Sequence, residues 1–288
     1  MNRVEVAGDP RLSLLQHGPD TGPRVLLVHG TTFPSALAAG YRFDGRSWMD
    51  DLAEAGFDVW ALDFAGYGES ARYPETDGPP LGRVPVAAEQ LARAVELICQ
   101  RRGIERLSLV AHSWGSLVAG RYAGNHGDRV ERLVLFGAIA RREEVTSIPS
   151  FPAYLDVTLD AQHARFVEDV PEGEPPVLED FDAWGEAYLA TDPDAVERTP
   201  PAVRIPAGPL ADIMSAWAGY FPYEPAAIGA PALVVRGEWD SLCRDDDSAW
   251  LRARLGCGEE VIPRGTHLLH LETGRHALHE ATRRFLLA

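Results

Sequence analysis

The sequence predicts an α/β fold, in which a mostly parallel, twisted sheet is flanked by helices and carries an inserted helical subdomain. Three observations support this prediction. Short apolar runs rich in Val, Leu and Ile alternate with longer stretches of helical periodicity. Several of these runs are apolar at every position, which is typical of strands covered by helices on both faces. A proline-rich, acidic region from residue 140 to residue 230 interrupts the alternation.

The predicted strands are short, apolar and rich in β-branched residues. They cover Leu12–Leu15, Val25–His29, Asp58–Asp63, Leu107–Ala111, Leu133–Phe136, Ala232–Arg236 and Glu260–Ile262.

The predicted helices alternate with these strands, and two of them have clear capping residues. Ser47–Ala55 begins with a serine at the N-cap position and is followed by Gly56. Val86–Arg102 stops before Gly103. The other core helices are predicted at Ser113–Asn125, Asp245–Leu255 and Thr273–Leu287.

Residues 140–230 differ from the rest of the chain in charge and composition. They hold 17 acidic residues and 5 arginines, a net charge of −12, whereas the remaining 197 residues carry only −4. No strand is predicted there, and amphipathic helical fragments are predicted near Leu178–Ala190 and Leu210–Gly219. We therefore expect residues 1–139 and 231–288 to form the core, with residues 140–230 inserted as a solvent-facing helical lid.

The composition excludes several classes of function. All 27 basic residues are arginines, which excludes a Schiff-base lysine, bound pyridoxal phosphate, a Ser–Lys dyad and a GxxxxGK[ST] phosphate loop. The net charge of −16 would repel nucleic-acid phosphates and anionic membranes, so we expect neither as a partner.

The cysteines and the N-terminal segment favour a cytoplasmic protein. Cys99, Cys243 and Cys257 are an odd number without CxxC spacing, so we expect reduced thiols, no disulfide and no metal site. The first residues lack the apolar stretch of a signal peptide, and no later run approaches the length of a membrane span. We expect a monomer or homodimer.

The most informative string is Leu109-Val110-Ala111-His112-Ser113-Trp114-Gly115-Ser116. It places Ser113 between a buried strand and a helix, with the small residues Ala111 and Gly115 two positions to either side. A turn this sharp holds the serine in a strained backbone conformation with its hydroxyl exposed above the sheet edge. The helix that follows directs its N–H groups and positive dipole end at the same spot, where negative charge develops during acyl transfer.

This string resembles the nucleophile elbow of the α/β-hydrolase fold family, with Ala111 in place of the first glycine of G-x-S-x-G. Two further strings extend the resemblance over nearly the whole chain. They are Val25-Leu26-Leu27-Val28-His29-Gly30-Thr31-Thr32, similar to a strand ending in HG, and Asp63-Phe64-Ala65-Gly66-Tyr67-Gly68-Glu69-Ser70, similar to a D-x-x-G-x-G-x-S turn. The resemblance implies oxyanion-hole N–H groups at Thr31, or alternatively Thr32, and at Trp114. The turn from Asp63 to Ser70 is expected to be structural. Ala65 stands where many relatives have arginine.

A serine hydroxyl needs a general base within hydrogen-bonding reach and an acid that orients the base. In this family the partners follow the serine in the order acid, then histidine. The strand Ala232–Arg236 is followed by Gly237-Glu238-Trp239-Asp240, so Asp240 is the expected acid. The next strand is followed by Gly265-Thr266-His267, so His267 is the expected base.

Other residues compete less well for these roles. Glu238 lies two residues before the usual position of the acid, and His270 lacks the Gly-Thr context of His267. We expect Asp245, Asp246 and Asp247 to cap a helix. The remaining histidines are expected to be structural: His112 lining the elbow, His29 shaping the oxyanion loop, and His17, His126, His163, His276 and His279 at the surface or with satisfied hydrogen bonds.

The resemblance and these residues together predict a serine hydrolase that forms an acyl-enzyme on Ser113. We expect a small, neutral, moderately apolar ester, lactone or thioester as substrate, and no metal or organic cofactor. Serine at the elbow argues against dehalogenase or epoxide-hydrolase chemistry, for which relatives use aspartate there.

Two alternatives stay open. The acidic insertion would suit a proline-iminopeptidase-like aminopeptidase, although Thr31-Thr32-Phe33-Pro34 departs from the HGGPG-like loop of those enzymes. A ligand-binding or receptor protein on the same fold is the second alternative. Haloperoxidase, lyase and carbon–carbon-bond hydrolase activities share the same residues, so the fold does not choose among them.

Overall fold

The computed structural model describes residues 1–178 and 180–288. The strands within these residues are β1 (Asn2–Val6), β2 (Leu12–His17), β3 (Arg24–Val28), β4 (Asp58–Asp63), β5 (Leu107–His112), β6 (Val130–Phe136), β7 (Tyr154–Thr158), β8 (Ala202–Pro206), β9 (Ala232–Gly237) and β10 (Gly258–Ile262). The α-helices are α1 (Ser35–Ala38), α2 (Trp48–Glu54), α3 (Val84–Arg102), α4 (Trp114–Asn125), α5 (Leu159–Val167), α6 (Phe181–Leu189), α7 (Gly208–Trp217), α8 (Asp245–Leu255) and α9 (Arg275–Leu287). Within the same residues, no helix is both long and apolar enough to cross a membrane.

Eight strands form one sheet in the order β1-β2-β4-β3-β5-β6-β9-β10. At one edge, β1 pairs with β2 and β2 with β4 in antiparallel register, and every other pair in this sheet is parallel. Parallel strands need crossover connections, which the helices between them supply. The predicted mostly parallel sheet flanked by helices is confirmed.

Two apolar layers cover the sheet, one on each face. Consecutive residues of a strand point to opposite faces, so Leu26 packs into the layer that contains α3 and α4 while Leu27 packs into the layer that contains α2 and α9. Leu109 and Val110 divide in the same way. Because both faces are buried, the central strands are apolar at consecutive positions, and this made them recognisable in the sequence.

The helix ends confirm the capping residues that the sequence indicated. Ser47 is the N-cap of α2, where its side chain and that of Asp50 form a reciprocal capping box. Gly103 ends α3 in the left-handed conformation that glycine adopts without cost. At the start of α8, the Asp247 carboxylate accepts the backbone N–H of Arg244 at 2.9 Å, as expected for a capping aspartate.

Several regular elements lie where the sequence predicted none. Strand β1 is an edge strand with only its last residue buried, so its polar residues hid the apolar alternation. Helices α1 and α5 were also missed. The prediction that residues 140–230 contain no strand is wrong, because β7 and β8 form an antiparallel pair there. The predicted fragment near Leu178–Ala190 is the shorter α6, and residue 179 lies outside the described residues.

Strands β7 and β8 form a two-stranded ribbon with two different faces. Leu155 pairs with Ile205, and Asp156 pairs with Arg204. The Asp156 and Arg204 side chains form an ion pair at 2.8 Å on the solvent side. The apolar side chains of Leu155, Val157 and Ile205 face a pocket beside Ser113. The ribbon therefore forms part of the wall of the pocket beside Ser113.

Candidate active site

Ser113 occupies the turn between β5 and α4 with φ 55° and ψ −126°. A positive φ is unfavourable for a residue with a Cβ, and such strain is common at functional sites. The turn closes because its neighbours are small. A Cβ at Gly115 would lie 2.5 Å from the His29 carbonyl oxygen, and a Cβ at Gly30 would lie 3.1 Å from Ser113 Cβ. The requirement for small residues that the sequence suggested is thus a steric property of this turn.

The side chains of Ser113, His267 and Asp240 form one hydrogen-bonded series. The Ser113 hydroxyl lies 2.8 Å from His267 Nε2. On the other side of the ring, His267 Nδ1 donates to the Asp240 carboxylate, with distances of 2.9 and 3.0 Å to its two oxygens. These three predicted residues are far apart in the sequence, and the structure brings them together at the carboxyl ends of β5, β9 and β10.

Asp240 is held as a carboxylate although it is buried. Burial alone would raise the pKa of its carboxyl group. The charge of His267 and its hydrogen bond act in the opposite direction, with help from the backbone N–H groups of Cys243 and Leu242, so the pKa of Asp240 lies below its usual value. The two N–H groups donate to Oδ1 at 2.9 Å each. A buried, ionised carboxylate can orient the imidazole and stabilise its protonated form.

The loop after β3 is fixed by His29. Its Nδ1–H donates to the Gly30 carbonyl oxygen at 2.8 Å, while Nε2 accepts the Phe64 N–H at 3.3 Å. Because a trans peptide is planar, a carbonyl held on the His29 side turns the Thr31 N–H to the opposite side. The Tyr67 hydroxyl donates to the Thr31 carbonyl oxygen at 2.5 Å, which fixes the next peptide as well. Thr31 and Thr32 both line the pocket that contains Ser113.

Trp114 is the first residue of α4, so its backbone N–H has no acceptor within the helix. Its indole is anchored separately, since Nε1–H donates to the Asp212 carboxylate of α7 at 3.1 Å. Asp212 also accepts the Val84 N–H at 2.7 Å and the Arg83 guanidinium at 2.5 Å. No pattern in the sequence indicates this role of Asp212, because it depends on where α7 packs.

The histidines near Ser113 divide into one that contacts the hydroxyl and two that do not. His112 donates from Nε2 to the His267 backbone carbonyl oxygen at 2.9 Å and thereby supports the base from behind. Burial lowers the pKa of His112 well below its usual range, and burial lowers the pKa of His270 to about 3. Neither ring nitrogen of His270 has a hydrogen-bond partner among the described residues. His270 is therefore a neutral core residue.

The interpretation of His279 as a surface or satisfied residue is wrong, because it is buried and neither ring nitrogen has a partner within the described part of the chain. The turn from Asp63 to Ser70 is held by a hydrogen bond within the turn and by one from Ser35 of α1. The Asp63 carboxylate accepts the Ser35 N–H at 2.8 Å, and the Ser70 hydroxyl donates to the Asp63 carbonyl oxygen at 2.6 Å.

Glu272 holds the loop that carries His267. Its buried carboxyl accepts the Thr266 N–H at 3.1 Å and contacts the Thr266 hydroxyl. Burial raises the pKa of Glu272 to about 7, although the bonds from Thr266 act in the opposite direction. Glu272 is not recognisable from the sequence, since a glutamate five positions after a candidate base has no distinctive pattern.

A pocket with a cavity volume of about 250 Å³ opens onto Ser113 and His267. Most of its surface is apolar, and the lining includes the aliphatic residues Leu155, Val157, Ile205, Leu210, Ile213, Leu242 and Leu268. Gln162 and Arg165 of α5 add polar groups. No Asp or Glu occurs among the described residues that line it. The aromatic residues of the insertion are likewise absent from this lining, and Phe166, Trp184 and Tyr188 are buried within the insertion.

The comparisons with known proteins agree with this architecture. The family model described as "alpha/beta hydrolase fold" matches residues 23–273. The haloalkane dehalogenase of Mycobacterium marinum is 29% identical over 246 residues, which cover 81% of this chain and 68% of that protein. Bifunctional epoxide hydrolase 2 of Rattus norvegicus is 28% identical over 156 residues, which cover 51% of this chain and 25% of that protein. The chain thus spans about a quarter of the length of that relative.

A solved structure of a serine hydrolase involved in carbazole degradation superposes with a TM-score of 0.71 at 20% identity, covering 99% of each chain. Likeness at this identity shows the fold. Together with the family match over most of the chain, it identifies this protein as a member of the α/β-hydrolase fold family.

Proposed function

We propose that the chain is a serine hydrolase that cleaves a carboxylic ester, lactone or thioester of a small, moderately apolar substrate through an acyl-enzyme on Ser113. The observation that carries this proposal is the unbroken series from the Ser113 hydroxyl through His267 to Asp240, with distances of 2.8 and 2.9 Å. Activation of a serine requires a base in hydrogen-bonding contact and an acid behind it. We further propose that residues 140–230 act as a cap, and that the protein works on a small molecule as a cytoplasmic monomer or homodimer.

The proposed reaction has two halves. His267 takes the Ser113 proton while Oγ attacks the substrate carbonyl carbon, and the leaving alcohol or thiol departs with that proton. Water then attacks the acyl-enzyme, with His267 acting again as base, and the acid product leaves. Asp240 stabilises the imidazolium in each half without taking its proton.

The oxyanion that forms in each half would be held by the backbone N–H groups of Thr31 and Trp114. Trp114 supplies a free N–H at a helix N-terminus, where the helix dipole also favours negative charge. For the first donor we choose Thr31 over Thr32, because His29 and Tyr67 fix the peptide on each side of Thr31. Donors fixed before the reaction need no reorganisation when the charge develops.

The alternatives fit the pocket less well. A proline-iminopeptidase-like enzyme would hold a substrate ammonium group with acidic side chains, and the described pocket lining contains none. Epoxide hydrolases and haloalkane dehalogenases are among the sequence relatives. Their chemistry, as expected from the resemblance, needs an aspartate where this chain has Ser113. A binding protein without turnover would have no need for the strained φ of 55° at this serine.

Two measurements test the proposal. A fluorophosphonate probe should label the wild-type protein at Ser113 and leave the folded Ser113→Ala variant unlabelled. A panel of p-nitrophenyl esters from acetyl to dodecanoyl should show turnover, with a prolyl anilide as the aminopeptidase comparison. A folded wild-type protein that neither reacts with the probe nor hydrolyses any ester would support the binding-protein alternative, and preference for the anilide would support the peptidase.

A further inference from the structure

The pocket wall contains one cationic side chain that the proposed chemistry does not use. Arg165 lies on α5 and lines the same pocket as Ser113 and His267. It stands out because this chain carries a net charge of −16, and residues 140–230 alone carry −12. Among the described lining residues, Arg165 is the single arginine, and no carboxylate shares the wall with it.

Arg165 is also poorly hydrated. Burial lowers its pKa from the usual value, while Asp169 and Asp240 act in the opposite direction. An arginine stays protonated in proteins despite such shifts. Its side chain contacts the carboxylate of Glu168, which is not part of the pocket lining and has a side-chain exposure of 43%. The guanidinium is thus held from the solvent side and still contributes to the pocket wall.

Gln162 lies one helical turn before Arg165 and lines the same pocket. Its side chain is fully buried, and neither Oε1 nor Nε2 makes a well-formed hydrogen bond among the described residues. The Tyr188 hydroxyl interacts with this amide, but its own proton is donated to the Val157 carbonyl oxygen at 3.5 Å. Buried amides are nearly always fully hydrogen-bonded, so an amide with hydrogen-bonding capacity to spare in a pocket wall indicates a polar group supplied by a ligand.

We propose that Arg165 and Gln162 form a carboxylate-binding subsite, and that the substrate cleaved at Ser113 carries a free carboxylate besides its scissile carbonyl. Residues one turn apart on a helix face the same way, so the guanidinium and the amide N–H₂ can donate to one anionic group. Arginine suits a carboxylate because its planar fork offers paired donors. The surrounding aliphatic wall strengthens such bonds by excluding water. This inference rests on the proposed function and replaces the neutral substrate expected from the sequence.

The first test compares matched esters. One pair is mono-p-nitrophenyl glutarate and its methyl ester, with the carboxylate on the acyl side. The other is 4-acetoxybenzoate and its methyl ester, with the carboxylate on the leaving group. In at least one pair, the wild-type protein should prefer the free acid in kcat/KM by about tenfold or more. Arg165→Gln and Gln162→Leu should each reduce that preference. The KM for the free acid should rise by a larger factor than kcat falls.

Two control variants make the test specific. Arg141 is an arginine of the same insertion that pairs with Glu143 outside the pocket, so Arg141→Gln should keep the preference. Glu168→Gln should keep or increase it, because it frees the guanidinium without changing the pocket lining. The subsite is disproved if the wild-type protein prefers neither free acid, or if the preference survives in Arg165→Gln.

A binding measurement separates this inference from the proposed function. Glutarate should bind to the Ser113→Ala variant in calorimetry and raise its Tm, and the Ser113→Ala, Arg165→Gln double variant should lose both effects. If esters are hydrolysed but glutarate binds equally to both variants or to neither, the subsite is wrong and the hydrolase proposal stands. If glutarate binding depends on Arg165 and no ester is hydrolysed, the subsite stands and the hydrolase proposal fails.

Discussion

Asp212 of α7 accepts a hydrogen bond from the indole of Trp114, the residue directly after Ser113, at 3.1 Å. The same buried carboxylate accepts the Val84 N–H and the Arg83 guanidinium at the start of α3. One side chain of the insertion therefore connects the start of α4 with the start of α3. The insertion and the elbow are joined by polar bonds as well as by apolar packing.

Removing this carboxylate should destabilise the protein. Asp212→Ala leaves the Trp114 indole N–H, the Val84 backbone N–H and the Arg83 guanidinium without their buried acceptor, so we expect a loss of about 3 kcal/mol in the free energy of unfolding. Urea denaturation of the wild type and the variant measures this loss in the free energy of unfolding. Asp156→Ala is the matched control, since Asp156 also pairs with an arginine of the insertion but at the surface, where the loss should stay below about 1 kcal/mol. Equal losses in the two variants would contradict the connecting role of Asp212.

The strained turn at Ser113 predicts a difference between two inactive variants. Ser113→Ala and Ser113→Gly both remove the hydroxyl and should lower kcat/KM by several orders of magnitude. Glycine also tolerates a φ of 55° without the cost of a Cβ, so the glycine variant should be more stable than the alanine variant by about 1 kcal/mol. Thermal unfolding of the two proteins side by side measures this difference. An alanine variant at least as stable as the glycine variant would show that the turn holds no strain.

The two neighbouring histidines should respond differently to substitution. His267→Gln removes the group 2.8 Å from the Ser113 hydroxyl and should lower kcat/KM by about 1,000-fold or more. His270→Phe replaces a buried ring that has no hydrogen-bond partner among the described residues, so kcat/KM should change by less than about tenfold. Rates of fluorophosphonate labelling report on both variants without requiring a good substrate. If kcat/KM falls more in His270→Phe than in His267→Gln, the assignment of His267 as the general base is wrong.

Glu272 should make stability depend on pH. Its pKa rises from 4.5 to about 7 on folding, so between these values the folded state binds more protons than the unfolded state. Its contribution to stability is therefore complete below pH 4.5 and is lost as the pH rises towards 7. Glu272→Gln removes this effect, and its stability relative to the wild type should increase by about 3 kcal/mol between pH 4 and pH 8.

Urea denaturation at several pH values measures this change, and the exposed Glu280 supplies the control. Glu280→Gln should leave the pH dependence of stability unchanged. If Glu272→Gln follows the wild type across the whole range, Glu272 is not held in its neutral form.

The sequence predicted the parts of this protein that local chemistry specifies. Ser113 and Asp240 each follow an apolar run that predicts a buried strand, and His267 follows the next predicted strand along the chain. Parallel strands bring their carboxyl ends to one edge of the sheet. Gly115 has a steric reason that could be anticipated from the sequence, because a side chain there would collide with the backbone at the end of β3. For these reasons the core sheet and the hydrogen-bonded series were accessible without coordinates.

The pocket wall could not be predicted, because its composition depends on packing between distant segments. Ribbon strands β7 and β8 are short and half-polar, so neither is distinguishable from a loop when read alone. Arg165 and Gln162 lie on a helix in a strongly acidic region, and only the packing of that helix decides which of its side chains reach the pocket. The acidic composition of the insertion suited the aminopeptidase alternative, whereas the described lining of the pocket contains Arg165 and no acidic residue.

The alternating faces of the β7–β8 ribbon have a consequence for how such a pocket changes over evolution. Because side chains alternate along a strand, inserting a single residue before Leu155 would turn Asp156 towards the cavity and Leu155 towards water. Inserting two residues would keep the hydrophobic side inward and change only its reach. Insertions of an even number of residues can thus resize this wall without changing the residues at the sheet edge. Insertions of an odd number would replace an apolar surface by a charged one.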